Sequence, residues 1–210
     1  MKPKAFIDLF FTPAHTAGNT FNLNPVVILA QAALESGWGQ SFLCVQHNNF
    51  FGMTGYGDKN RWWQGTTVKL HDGSLAFRTY QRPEDSFMDY GRLLRQVYPR
   101  AAEMSAFPKA FAREIAYSRY ISEVNGDDRE AYRRALVSIC SRIEREIDQM
   151  INARIAREIK GKVVRDEKRT AGRETNGVID CDVDDIELAD DTFGCEVGRE
   201  MNDDVDVKVA

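Results

Sequence analysis

The sequence is poor in the residues and spacings that mark metal and cofactor sites. Its three histidines, His15, His47 and His71, are scattered, and none of its four cysteines lies in a Cys-x-x-Cys motif. This spacing is not typical of a zinc site. We also find no glycine-rich phosphate loop and no Ser-His-Asp or Cys-His arrangement. We therefore expect no metal and no cofactor.

Long hydrophobic runs are also missing. The N-terminus starts with basic residues, but Asp8 interrupts the apolar run that follows, and the run ends at Thr12-Pro13. This is a poor signal peptide, and no stretch approaches the ~20 apolar residues of a membrane-spanning helix. We expect a soluble protein with no membrane span.

Cysteine usage does not decide the redox compartment. Cys140 lies among Leu136, Val137 and Ile139, so we expect it to be a small core residue. A Cys181–Cys195 disulfide is conceivable if the protein reaches an oxidising compartment. The sequence leaves that pairing open.

Charge is divided unevenly along the chain. Residues 174–210 contain thirteen acidic and two basic residues, a net charge of −11, whereas the whole chain carries −4. Residues 1–173 therefore carry +7. A basic body suits a polyanionic partner, either nucleic acid or the bacterial cell wall, and charge alone does not choose. The acidic segment has the composition of a disordered tail.

Helical patterns dominate the elements that we predict. Asn24 followed by Pro25 starts the clearest helix, and Gly37 and Gly39 follow its end. Residues 40–60 show no helical period, and we expect a loop there. Two short strand-like runs flank His71-Asp72-Gly73-Ser74 and predict a hairpin. Further helices are predicted over 84–94 and 107–116, and from Asp127-Asp128 towards residue 160.

These elements predict a mostly α (α+β) fold with three parts. We place the main folded domain at residues 1–148, an amphipathic helical extension at 149–173 and the acidic tail at 174–210. The extension has less to pack on than the preceding half of its helix. It is therefore expected either to pack on its own domain or to bind a partner or a second copy.

The helix that starts at Pro25 has two polar residues in an otherwise apolar interior. Gln31 and Glu35 are four residues apart, hence on the same face. A carboxylate at the end of a buried helix, beside Trp38 and the aromatic residues of the next loop, is expected to be partly desolvated. Desolvation raises the pKa of a carboxyl group, and a general acid needs its proton near neutral pH.

Five sequence blocks resemble the glucosaminidase family, glycoside hydrolase family 73, in the order in which that family has them. They cover roughly residues 20–145. The blocks are AQAALESGWGQS (30–41), NNFFGM (48–53), WWQG (62–65), AFRTYQRPEDSFMDYGRLL (76–94) and AYSRY (116–120). The resemblance implies a lysozyme-like α-lobe with a small β-hairpin lobe, followed here by the helical extension and acidic tail.

The resemblance also implies roles for particular residues. Glu35 takes the general-acid position, and Tyr117 matches an active-site tyrosine. The loop that contains the substrate-binding candidates Asn48, Asn49, Phe51 and Gly52 resembles the cleft floor, and Gln31 lines the same helix face as Glu35. Trp62 and Trp63 are candidate platforms for sugar rings, although adjacent strand residues point to opposite faces and one of the two should be core.

The second acidic residue of many family members lies in a Thr-x-Glu segment that is shortened here. Asp72 is the nearest acidic candidate, but His-Asp-Gly-Ser is also an ordinary turn. The 2-acetamido oxygen of the substrate could replace a second carboxylate. The stereochemical outcome stays open.

The function expected from this resemblance is hydrolysis of peptidoglycan glycan strands at the GlcNAc-β-1,4-MurNAc bond. The alternatives are a lytic transglycosylase or muramidase acting on the same glycan, and a non-catalytic module that binds cell wall or nucleic acid. We favour no nucleic-acid partner, and an inhibitor or immunity protein is conceivable. Action in the bacterial periplasm or cell wall would then require delivery by a holin, a phage particle or specialised secretion.

Overall fold

The computed structural model describes residues 1–121 and 128–174. Contacts divide the chain into two units, Met1–Lys162 and Val163–Ala210, and of the second only residues 163–174 are described. The described part is mostly helical, which confirms the predicted fold class. The helices are α1 (Pro3–Phe21), α2 (Pro25–Glu35), α3 (Phe42–His47), α4 (Pro83–Val97), α5 (Pro99–Glu103), α6 (Pro108–Ala116) and α7 (Arg129–Glu174); the strands are β1 (Thr67–Lys69) and β2 (Ala76–Arg78), and Met104–Ala106 is a 3₁₀ turn.

Helix α1 was not predicted from the sequence. Pro13 looked like the end of the N-terminal apolar run, but it lies inside the helix, which continues to Phe21. Phe6 and Ile7 are fully buried in the core. Helix α1 packs against α2 and α4, so the N-terminal segment is an integral part of the folded domain.

Helix α2 begins as predicted. The side chain of Asn24 accepts a 2.9 Å hydrogen bond from the backbone N–H of Val26, which satisfies one of the unpaired donors of the first turn. After α2, Gly37 and Gly39 take positive φ angles. The expected loop at 40–60 is partly wrong, because α3 begins after Ser41, whose hydroxyl accepts from the N–H of Cys44.

The two strands pair as the predicted antiparallel hairpin, with Val68 opposite Phe77. A buried ion pair joins this hairpin to α4, because Arg78 Nη1 lies 2.6 Å from Asp89 Oδ2 and Asp89 is fully buried. Asp89 also accepts hydrogen bonds from Tyr80 and Asn60. The Asp89 carboxylate therefore links the first and the last part of the sequence block at residues 76–94.

Helix α7 contains the predicted amphipathic pattern and extends past residue 160. Leu136, Cys140 and Ile143 are buried in the core, whereas Ile151 and Ile155 are about half exposed, at 51% and 48%. The division of the chain at 148 and 173 stays a prediction. The tail and the Cys181–Cys195 pairing lie outside the described residues. Within the described ranges, none of the helices combines the length and apolar character that crossing a membrane requires.

Candidate active site

Glu35 is the last residue of α2, and it is held by a side chain from α7. The hydroxyl of Tyr132 donates a 2.7 Å hydrogen bond to Oε1 of Glu35. The same hydroxyl accepts a 2.9 Å hydrogen bond from Nε2 of Gln31, one turn earlier on α2. Gln31 is fully buried, so it lies behind Glu35 and acts on the site through Tyr132.

Three tyrosines surround the carboxylate. Burial raises the pKa of Tyr90, Tyr120 and Tyr132 well above the ordinary value for a phenol, and the negative charge of Glu35 raises these pKa values further. The three phenols therefore stay protonated at neutral pH and can act as hydrogen-bond donors. Among the described residues, the buried hydroxyl of Tyr90 has no hydrogen-bond partner.

An open cavity of about 460 Å³ lies in front of Glu35, and we call it the Glu35 cavity. Its volume is within the range of about 300–1,000 Å³ that is usual for small-molecule sites. Asp128 is also on its wall and caps α7, because its Oδ1 accepts hydrogen bonds from the N–H groups of Glu130 and Ala131. The described residues that line the cavity are Glu35, Tyr120, Ile121, Asp128, Ala131, Tyr132 and Ala135.

The aromatic surroundings of Glu35 differ from the sequence-based expectation. Trp38 does not line the Glu35 cavity: it packs edge-on against Phe6 of α1, and the guanidinium of Arg142 lies 5.5 Å from its ring. The side chains that replace it, Tyr120 and Tyr132, are distant in sequence. Tyr120 lies in the AYSRY block and could have been considered, whereas no motif marked Tyr132.

The loop at residues 48–53 packs against tyrosines near Glu35. Asn49 is buried and its side chain bonds to both the N–H and the carbonyl of Met53. Phe51 stacks on Tyr90 with ring centroids 3.9 Å apart, and its carbonyl accepts from the Tyr120 hydroxyl at 3.4 Å. Phe51 therefore contacts both Tyr90 and Tyr120, and a direct contact of this loop with substrate stays a prediction.

The remaining two loop candidates are partly exposed. Asn48 ends α3 in the left-handed conformation, with φ of 52°, and its side-chain amide donates to the carbonyl of Tyr80. Gly52 has φ of +60°, where a side chain would be strained. Both residues therefore have a structural reason for their identity in addition to the predicted contact with substrate.

Tyr117 lies in a different cavity from Glu35. Its hydroxyl is 3.3 Å from Oε2 of Glu130, and its ring is 57% exposed. This larger open cavity, about 970 Å³, is bounded by the end of α4, by α5, by α6 and by the start of α7, and we call it the Tyr117 cavity. The structure does not place Tyr117 and Glu35 on one cavity wall, and the catalytic role of Tyr117 stays a prediction.

The hairpin candidates are also separate from the Glu35 cavity. Asp72 is exposed in the turn between the strands. Trp63 is buried and is therefore a core residue. Its indole N–H donates a hydrogen bond to the carbonyl of Thr66, and the guanidinium of Arg78 stacks over its ring. Trp62 is partly exposed on a third cavity beside Gln81 and packs edge-on against Phe21. One of the two tryptophans, Trp63, is therefore a core residue, as we expected. The pair lies in a loop, however, and not in the strand on which that expectation was based.

Within the described ranges, no group of three or more His, Cys, Asp or Glu side chains is placed so that it could hold a metal ion. Cys44 and Cys140 are buried free thiols. The functional groups that the described side chains bring to the Glu35 cavity are carboxyl and phenol groups.

Comparison with known proteins decides the family. The model of the Glucosaminidase family, described as mannosyl-glycoprotein endo-beta-N-acetylglucosaminidase, matches residues 12–145. The chain belongs to the glucosaminidase family. The match begins in the second half of α1 and extends through the hairpin to the start of α7. It therefore includes all the described residues that line the Glu35 cavity. It confirms the resemblance drawn from the five sequence blocks.

The relatives of this glucosaminidase-family chain include proteins named peptidoglycan hydrolase FlgJ. It is 33% identical over 138 residues to the peptidoglycan hydrolase FlgJ of Vibrio parahaemolyticus, an alignment of 58% of this chain and 43% of that protein. The chain thus spans less than half the length of this curated relative.

Two solved structures share the fold. The glycoside hydrolase domain of Salmonella typhimurium FlgJ matches with a TM-score of 0.59 and 25% identity, over 76% of this chain and 99% of that one. A type VI secretion system effector–immunity complex from Pseudomonas protegens matches with a TM-score of 0.54 over 70% of this chain and 95% of that one, at 16% identity, and shows the fold alone.

Proposed function

We propose that this chain hydrolyses the glycan strands of peptidoglycan at the GlcNAc-β-1,4-MurNAc bond, with Glu35 as the general acid. The observation that carries the proposal is the placement of Glu35. It ends a buried helix, faces an open cavity and is held by the hydroxyl of Tyr132 at 2.7 Å. Membership of the glucosaminidase family and likeness to FlgJ support the choice of substrate.

In this proposal the proton of Glu35 passes to the glycosidic oxygen as its bond to C1 of GlcNAc breaks. The leaving sugar then departs as an alcohol, which is a much better leaving group than an alkoxide. The hydrogen bond from Tyr132 fixes the rotamer of the carboxyl group, so that the proton is delivered in one direction. Gln31 in turn fixes the hydroxyl of Tyr132.

Water must then add to C1, and a second group is needed to activate it or to stabilise the cation. Asp72 lies in the exposed hairpin turn, whereas Asp128 lines the Glu35 cavity. The substrate's own acetamide oxygen is the third candidate, because it can attack C1 and form an oxazolinium intermediate that water opens. We favour the acetamide route, since turn chemistry explains Asp72 and helix capping explains Asp128.

The place of action follows from the proposed substrate, which is the bacterial cell wall. An inhibitor protein that covers the Glu35 cavity is a further proposal. The cavity is open, which leaves room for such a protein, and the proposal would be tested by whether a candidate inhibitor protects the segments that contain Glu35 and Tyr132 from backbone hydrogen exchange.

The products of digestion test the proposed bond. Purified peptidoglycan is digested with the parent protein and the new chain ends are identified by reduction and mass spectrometry. The proposal predicts reducing GlcNAc ends. Reducing MurNAc ends would instead indicate a muramidase, and 1,6-anhydro-MurNAc ends a lytic transglycosylase. Retained binding to wall with no new ends would indicate a non-catalytic wall-binding module.

A further inference from the structure

We propose that the Tyr117 cavity binds the acidic peptide that branches from the glycan, while the Glu35 cavity receives the sugar. This inference rests on the proposed function and extends it to a second part of the same substrate. It assigns a role to a cavity of about 970 Å³ that Glu35 does not line. That volume is at the upper end of the usual range for ligand sites.

Cationic side chains outnumber acidic ones around this cavity. Among the described residues, four cationic side chains line it: Arg100, Lys109, Arg113 and Arg133. Two acidic side chains, Glu114 and Glu130, do so as well. The excess of positive charge favours an anionic ligand, because opposite charges attract more strongly beside a low-dielectric wall than in open water.

Both acidic side chains already have cationic partners. Arg133 forms two hydrogen bonds to the carboxylate of Glu130, and this pairing lowers the pKa of Glu130 to about 2. Arg100 lies 3.7 Å from Glu114. The acidic charge of the cavity is therefore balanced by two of its four cations.

Lys109 and Arg113 supply the unbalanced charge. Neither side chain has a hydrogen bond or ion pair with any residue in the described ranges. They are four residues apart on α6, so both lie on the same face of that helix. Two adjacent cations can bind two carboxylates of one short peptide, or both oxygens of a single carboxylate.

The position of the cavity fits a substituent of the bound glycan. Two chain segments supply residues to both cavities. From the first, Tyr117 and Ser118 line one cavity and Tyr120 lines the other. From the start of α7, Glu130 faces the Tyr117 cavity and Tyr132 faces Glu35. A glycan held at Glu35 can therefore direct a side branch over this shared wall.

The test compares binding of soluble glycan fragments with and without their peptides. The fragments are first freed of covalently attached phosphate polymers. Any difference in affinity between the two kinds of fragment then comes from the peptide and its carboxylates. The test variant is Lys109→Gln/Arg113→Gln. The control is Arg145→Gln/Lys160→Gln, which removes the same charge from exposed positions of α7 outside both cavities. All proteins also carry Glu35→Gln, so that binding is measured without cleavage.

The proposal predicts that the test variant binds peptide-bearing fragments about 5- to 10-fold more weakly than its parent, since exposed charge pairs contribute modestly. Its affinity for peptide-free fragments should be unchanged, and the control should match the parent on both. A difference that shrinks in high salt would support an electrostatic contact. Equally weakened binding of both kinds of fragment, or binding weakened no more than in the control, would contradict the proposal that the Tyr117 cavity binds the peptide. Failure of the proposed hydrolysis would appear separately, as absence of new chain ends with the active protein.

Discussion

The hydroxyl of Tyr132 donates a 2.7 Å hydrogen bond to Glu35, although the two residues are 97 positions apart in the sequence. This contact joins the end of α2 to the second turn of α7. The long C-terminal helix therefore begins as a wall of the site, and its first turns are as much part of the catalytic domain as α2 is.

Replacement of Tyr132 by Phe removes this hydrogen bond and keeps the ring. We expect kcat on purified wall to fall about 10- to 100-fold, because a misplaced general acid loses much of its contribution. KM should change little, whereas the melting temperature should fall by a few degrees, because the buried amide of Gln31 loses its hydrogen-bond acceptor. The measurement is steady-state release of reducing ends, with circular dichroism melting as the control for folding.

Tyr117→Phe is the matched comparison, because Tyr117 is exposed and lies in the other cavity. If Tyr117 acts in catalysis as its sequence block suggests, its loss will lower kcat more than affinity. A silent Tyr117→Phe protein beside an impaired Tyr132→Phe protein would move the active-site tyrosine from position 117 to 132. Equal activity of parent and Tyr132→Phe would contradict our account of Glu35.

The sequence predicted the local elements well, and the distant contacts poorly. The Asn24-Pro25 cap and the hairpin around Gly73 depend on neighbouring residues, so their patterns were readable. Helix α1 was missed because Pro13 was read as the end of the apolar run, although the residues around it have an apolar face that includes Phe6. Glu35 was proposed as the general acid from its motif, and that role stays a prediction. Its contact with Tyr132 was not predicted, since a tyrosine in an amphipathic helix carries no sign of which carboxylate it will meet.

Substitutions at two aspartates test which group activates the water molecule that attacks C1. Asp72→Asn should change the rate by no more than a few-fold, because the residue lies in an exposed turn. Asp128→Asn should also be mild if the substrate acetamide is the nucleophile, since Asn preserves the helix cap. A thiazoline mimic of the oxazolinium intermediate should then inhibit strongly. A folded but nearly inactive Asp128→Asn protein would assign the second catalytic group to that carboxylate.

Asp89 should be important for stability. It is fully buried and accepts hydrogen bonds from Arg78, Arg92 and Tyr80. Asp89→Asn leaves two guanidinium groups without their anion, and we expect the free energy of unfolding to fall by about 3–5 kcal/mol. Asp8→Asn, which breaks an exposed pair with Lys4, should cost less than about 1 kcal/mol. Urea denaturation measures both, and equal effects would refute the role of the buried cluster.

The two buried thiols should be unreactive in the native protein. Burial raises the pKa of Cys44 to about 11 and that of Cys140 to about 12. Both are therefore almost entirely protonated at pH 8, and the thiol form is a poor nucleophile. Peptide mapping after brief iodoacetamide treatment should find them unmodified in the native protein and modified in urea. Rapid native labelling of either would show that the core opens readily there.

The central claim is that Glu35 donates the proton, and one substitution tests it directly. Glu35→Gln keeps the shape of the side chain and removes the acid. We measure initial rates of reducing-end release from purified peptidoglycan for the parent, for Glu35→Gln and for Glu103→Gln, an exposed glutamate outside the Glu35 cavity. The account predicts a loss of about 10²- to 10⁴-fold for Glu35→Gln, with an unchanged melting temperature and retained wall binding, and full activity for Glu103→Gln. A folded Glu35→Gln protein that keeps more than a tenth of the parent rate would contradict it.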